Sequence, residues 1–171
     1  MVRNKVYSNH TTGHAIQFGD STNDSLITGG QFSANYAEGE YHATLTPHGI
    51  SIGRNTTAAM YGNVSVRSYV GFLISRTTTC DIQGNLAVNC YGPSYYAKGC
   101  TAATVRGNVA VVEANALQRT RGVIEATVQG VTDTVSTDFI ENIIIMGDDD
   151  LATTFAATNG SLARFEDANQ V

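Results

Sequence analysis

Ile82-Gln83-Gly84-Asn85-Leu86-Ala87-Val88 decides the fold, because the chain writes it three times. Met60-Tyr61-Gly62-Asn63-Val64-Ser65-Val66 precedes it and Val105-Arg106-Gly107-Asn108-Val109-Ala110-Val111 follows it. The three Asn residues fall 22 and then 23 residues apart. A fixed period of this size marks a solenoid, in which each repeat contacts only its neighbours.

The repeat extends outward from this core. Gly49-Ile50-Ser51-Ile52, Gly71-Phe72-Leu73-Ile74 and Ser94-Tyr95-Tyr96-Ala97 each open fourteen residues before their Asn. Thr56, Thr78 and Thr101 each fall seven before it, and Ala58, Cys80 and Ala103 five before it. Apolar residues alternate within every short block, which is the period of a strand and not of a helix. Each unit therefore holds three short strands. One coil cannot bury its inward side chains alone, but stacked coils pair their backbones in parallel and close a core. The expected fold is all-β, a right-handed single-stranded parallel β-helix of about six coils, its hand set by the rule for parallel crossovers. Ile50, Phe72, Ile74, Met60, Ile82, Val105, Val64, Leu86 and Val109 are the expected inward residues.

Asn tolerates the left-handed backbone and bonds neighbouring peptide groups. Asn63, Asn85 and Asn108 are expected to form a corner ladder, beside a column of Thr56, Thr78 and Thr101. Further corners are expected at Val2-Arg3-Asn4-Lys5-Val6, at Ile27-Thr28-Gly29-Gly30 with Gly30 replacing Asn, and at Phe139-Ile140-Glu141-Asn142-Ile143. This puts the β-helix at 1–146, with insertions near 33–48 and 113–135. Residues 147–171 form a tail or cap with a short helix near 161–168, where Leu162 and Phe165 share a face.

Only 15% of the 171 residues are charged and the net charge is −5. Phosphate binding needs clustered Lys and Arg, so neither nucleic acid nor an anionic membrane surface is an expected partner. No apolar run is long enough to span a bilayer, and no basic-then-apolar leader opens the chain. Cys80, Cys90 and Cys100 lack paired spacing and read as buried thiols. Neither a metal nor another cofactor is expected.

Function is sought where the period breaks. The 33–48 insertion carries Tyr36, Glu38, Glu40, Tyr41, His42 and His48. Tyrosine faces stack on sugar rings, and carboxylates bond sugar hydroxyls or serve as acid and base. Glu38, Glu40 and His48, with the second carboxylate pair Asp20 and Asp24, are the candidate catalytic residues. Tyr36, Tyr41 and His42 are candidate glycan contacts, joined by Arg119 and Arg121 of the second insertion as holders of an acidic sugar.

These residues resemble the pectate-lyase-like β-helix superfamily over roughly 2–146. Pro47-His48-Gly49-Ile50-Ser51-Ile52-Gly53 is similar to the polygalacturonase segment in which Gly-His-Gly precedes Ile-Ser-Ile-Gly. There the His supports paired aspartates, which implies such a role for His48. Pro47 replaces the first Gly, no Asp-Asp pair precedes it, and no Arg-x-Lys follows. The Thr-, Asn- and Gly-rich coil also resembles bacteriophage tailspikes and tail fibres, which implies a virion protein that binds, or depolymerises, bacterial surface polysaccharide. The alternatives are a free-standing, secreted polysaccharide lyase or glycoside hydrolase, and a purely structural module of a larger virion protein. Ile143-Ile144-Ile145-Met146 is apolar on both faces and expects cover on both. Assembly as a homotrimer, or with the rest of a longer spike, follows from that expectation.

Overall fold

The computed structural model describes residues 3–7, 13–18, 31–40, 46–53, 57–112, 124–127, 137–146 and 163–165. These form seventeen strands and, among the described residues, no helix. Every third strand returns to the same sheet, and all pairs are parallel. Sheet one stacks β1 (Lys5–Tyr7), β4 (Tyr36–Glu38), β7 (Val64–Val66), β10 (Leu86–Val88), β13 (Val109–Val112) and β16 (Ile143–Met146). Sheet two stacks β2 (Gly13–Phe18), β5 (Pro47–Gly53), β8 (Val70–Ser75), β11 (Tyr95–Lys98), β14 (Ile124–Thr127) and β17 (Ala163–Phe165). Sheet three stacks β3 (Gln31–Ser33), β6 (Thr57–Tyr61), β9 (Thr79–Gln83), β12 (Ala102–Arg106) and β15 (Thr137–Ile140). This is the architecture of a parallel β-solenoid.

The core is built from columns of like residues. Ile16, Ile50, Phe72 and Tyr95 stand in register on sheet two, and Phe32, Met60, Ile82 and Val105 on sheet three. All eight are buried in one cluster. Each such side chain contributes roughly 1.5–3 kcal/mol on burial. The Phe72 and Tyr95 rings stack at 5.3 Å. Tyr95 places its hydroxyl 2.8 Å from the carbonyl oxygens of Asn85 and Val109, so a polar tip lies in the core without losing its partners.

Sheet one departs from the expected register. Val64, Leu86 and Val109 stand half-exposed, and the inward residues are Ala37, Ser65, Ala87 and Ala110. The reason is room. A Cβ on Gly49 would come within 2.1 Å of Ser65 Oγ, and one on Gly71 within 3.3 Å of the Ala87 Cβ. The start of each sheet-two strand thus presses against the inner side of sheet one, and only small side chains fit between.

A ladder of Asn side chains runs up the corner between sheets three and one. Asn35 Oδ1 accepts from the backbone N–H and the side-chain amide of Asn4, at 3.0 and 2.9 Å. The same two bonds join Asn35 to Asn63, Asn63 to Asn85, Asn85 to Asn108 and Asn108 to Asn142, all between 2.8 and 3.1 Å. The amides of Asn63, Asn85, Asn108 and Asn142 also donate to the carbonyls of Phe32, Met60, Ile82 and Val105. The left-handed conformation belongs not to Asn but to the residue before it: Arg3, Ala34, Gly62, Gly84, Gly107 and Glu141, with φ between 52° and 60°. The Asn faces inward because its side chain replaces backbone partners that the turning chain has lost.

Two boundaries shift accordingly. The early corner lies at Ala34-Asn35; Ile27-Thr28-Gly29-Gly30 lies outside the described residues. Ser33 to Glu38 are ordinary repeat, so the 33–48 insertion begins later than its sequence boundary. Near the other end, residues 163–165 pair in parallel with Ile124–Ala126 as β17, where a helix over 161–168 was expected. The open edge of β14 offers backbone partners, and a helix of two turns is marginal without tertiary support.

Cys80, Cys90 and Cys100 are buried thiols, none of them in a disulfide. Burial raises the Cys80 thiol pKa well above its ordinary value and that of Cys100 to about 11.

Candidate functional site

The outer face of sheet two carries a groove of about 380 Å³. Its floor follows the outward register column Gln17, Ser51, Leu73, Tyr96. Val70, Leu73 and Tyr96 form a second apolar cluster there, with Tyr69 packed against it. Outward positions of a solvated sheet ordinarily carry polar residues. Here a large apolar floor lies outside the core.

Polar groups punctuate that floor. Ser51 lines the groove and is 2% exposed, and its buried hydroxyl has no hydrogen-bond partner. A buried hydroxyl left unpaired costs about 1–3 kcal/mol. At one end His14 and His48, register partners on β2 and β5, bring their Nδ1 atoms within 3.2 Å, with ring centroids 4.6 Å apart. Burial lowers the His14 pKa, and the contact needs one ring nitrogen to donate and the other to accept. At the other end stands Lys98, in register with Ser75 and, one strand further, Gly53. Tyr69 and Thr46 complete the rim, and Tyr69 meets Tyr91 edge-on at 5.6 Å.

Among the described residues, His48 is the one candidate catalytic residue that lines this groove. Glu38 and Tyr36 lie on the outer face of sheet one. The Tyr36 hydroxyl donates to Glu38 Oε2 at 2.5 Å, and Arg67 pairs with the other carboxylate oxygen. The Tyr36 bond, then Arg67, hold the Glu38 carboxyl below its ordinary range, and the same bond pushes Tyr36 up to about 12. Lys5 lies over the rings of Tyr7 and Tyr36 at 4.9 and 5.2 Å. Glu40 is exposed beyond the end of β4. Thr78 and Thr101 are exposed at neighbouring corners, where Ala102 N–H donates to the Thr78 carbonyl at 2.8 Å. Asp20, Asp24, Tyr41, His42, Arg119, Arg121 and Thr56 lie outside the described residues. No group of three His, Cys, Asp or Glu converges among the described residues.

Sequence reading passes over Ser51, Tyr69, Leu73, Tyr96 and Lys98. The signal is nonetheless present. In Gly71-Phe72-Leu73-Ile74 and Ser94-Tyr95-Tyr96-Ala97 the third position points outward, yet holds Leu and Tyr.

No protein-family model, curated protein or solved structure matches this chain.

Proposed function

We propose that this chain is a β-helical segment of a phage tailspike or tail fibre that binds bacterial surface polysaccharide in the groove on sheet two. The observation that carries this reading is the unpartnered Ser51 hydroxyl set in an apolar, tyrosine-bearing floor. Sugars present both surfaces such a floor suits: a C–H face that packs on an aromatic ring, and hydroxyls that satisfy a buried donor. The right-handed, pectate-lyase-like form of the β-helix belongs to this proposal, as does a place on the virion acting at the host surface.

Binding is favoured over hydrolysis. Glycoside hydrolysis uses two carboxylates roughly 5–10 Å apart. The described residues that line the groove include none, and Glu38 is engaged by Tyr36 and Arg67 on another sheet. Assembly into a homotrimer or a longer spike is supported by sheet one, whose outer face leaves Tyr7, Ile143 and Ile145 64%, 56% and 49% exposed.

The test is binding to purified capsules and lipopolysaccharide O-chains, with reducing-end release measured in parallel. Ser51→Ala should weaken binding while stabilising the fold by up to about 1 kcal/mol, because it removes a buried, unpaired hydroxyl. Loss of stability with unchanged binding would overturn the assignment of the groove. Sedimentation decides the assembly.

A further inference from the structure

Resting on the groove reading above, we infer that the ligand is an acidic polysaccharide, whose carboxylate, sulfate or phosphate groups meet Lys98 at one end of the groove and the protonated His14–His48 pair at the other.

Among the described residues that line the groove, every side chain able to carry charge near neutral pH is basic: Lys98, His14 and His48. The whole chain carries net charge −5, so its surroundings do not predispose this face to basic character. A neutral glycan gains little from an ammonium beside an apolar floor. An anionic one gains a charge-assisted hydrogen bond in a partly desolvated cleft.

The geometry spaces the charges. His48 and Gly53 lie on the same strand, and Lys98 stands in register with Gly53 two strands away. Five residues along a strand and two strand spacings put the ends on the order of 20 Å apart. That span suits an oligosaccharide with acidic groups on separate sugars, the stretch between them lying over Leu73 and Tyr96. Ser51, inside this span, supplies the buried donor.

The histidine pair adds a proton dependence. While both rings are neutral, their Nδ1 atoms share one hydrogen and present no charge. A proton added to the free Nε2 of the donating ring leaves the one hydrogen between the two Nδ1 atoms, 3.2 Å apart, and creates a cation facing the groove. Histidine protonation opposes burial, so the charge forms most readily when an anion occupies the groove. Among the described residues that line the groove, the other ionisable side chains are Tyr69, Tyr96 and, on the order of 20 Å away at the opposite end, Lys98.

The experiment uses the intact chain on an array of acidic and neutral bacterial polysaccharides. Each hit is retested after chemical reduction of its carboxylates, or removal of sulfate or phosphate. Hits should be acidic and should lose about tenfold or more in affinity when neutralised, which is the value of one charged contact. Lys98→Met should reduce affinity three- to tenfold for the acidic form and leave the neutral form unchanged. Affinity for the acidic form should rise as pH falls from 8 to 5.5, and His48→Gln should flatten that rise while the β-sheet spectrum is retained. Equal binding of acidic and neutralised glycans, still lost in Tyr96→Ala, would overturn this inference and leave the groove standing. Binding indifferent to Tyr96→Ala and Ser51→Ala, or no binding to any glycan, would overturn both.

Discussion

The side-chain oxygen of Asn85 accepts two bonds from Asn63, one from its backbone N–H and one from its side-chain amide, each 2.9 Å long. Removing Asn85 leaves the buried Asn63 backbone N–H and one of its amide hydrogens without a partner, the other amide hydrogen keeping the Phe32 carbonyl. Asn85→Ala should therefore cost about 2–4 kcal/mol, more than an average buried hydrogen bond. Urea unfolding followed by circular dichroism measures this. A loss below 1 kcal/mol would mean that water replaces the link.

Ile82 is stacked in register between Met60 and Val105 and has no exposed surface. Ile82→Asp would put an unpaired charge in the narrow core and should abolish soluble folding. Soluble expression with an unchanged β spectrum would refute this register.

Gly71 and Gly107 should respond differently to alanine. At Gly71 the new Cβ would sit 2.7 Å from the Ser94 carbonyl oxygen and 3.0 Å from Cys90 Sγ. That backbone oxygen is held in the stack, so Gly71→Ala should cost about 3 kcal/mol, the upper end of overpacking penalties. Gly107 meets nothing within 4 Å, and its φ of +58° is the only obstacle. Gly107→Ala should cost about 1 kcal/mol. Equal losses would mean that the stack around Gly71 gives way enough to admit the methyl group.

Ala34 occupies the same left-handed position with φ of 52°. Ala34→Gly relieves strain of about 1–2 kcal/mol, part of which is offset by the greater freedom of Gly in the unfolded chain. A net gain of about 0.5 kcal/mol is expected in thermal unfolding. A loss would show that the Ala34 methyl group makes contacts that matter more than its strain.

Tyr36 should titrate near 12, held protonated first by its bond to Glu38. Glu38→Gln should bring one tyrosine transition back toward 10 in an absorbance titration. The signs follow from linkage. Tyr36, raised on folding, stabilises below its unfolded pKa, and that stability is lost as pH climbs through the folded value. Glu38, lowered on folding, stabilises above its unfolded pKa, and that stability is lost as pH falls through the folded value. An unchanged tyrosine titration in the variant would break the assigned pair.

The parallel β architecture is legible in the sequence because three central repeats keep nearly equal length and carry Gly before Asn. It blurs outward because Arg3, Ala34 and Glu141 stand where Gly62, Gly84 and Gly107 mark the inner corners. Asn35 is easily passed over for that reason. The register of sheet one is ambiguous for a different one. Val64, Ser65 and Val66 suggest an apolar-in alternation, but space beside Gly49 admits only the serine. The groove is harder still to read. Ser51 and Leu73 resemble ordinary strand residues until the stack sets them side by side, and the His14–His48 contact joins positions 34 apart in the chain.

The Asn ladder keeps the same two bonds across separations of 31, 28, 22, 23 and 34 residues. The scaffold thus fixes where the chain must return and leaves open how far it travels in between. Closing a longer excursion adds only about 0.6 kcal/mol per doubling of its length. A lineage can therefore lengthen, shorten or exchange the segments between successive Asn residues without dismantling what lies above and below. Such a protein can renew its outer surface one coil at a time while its inherited core stays as it was.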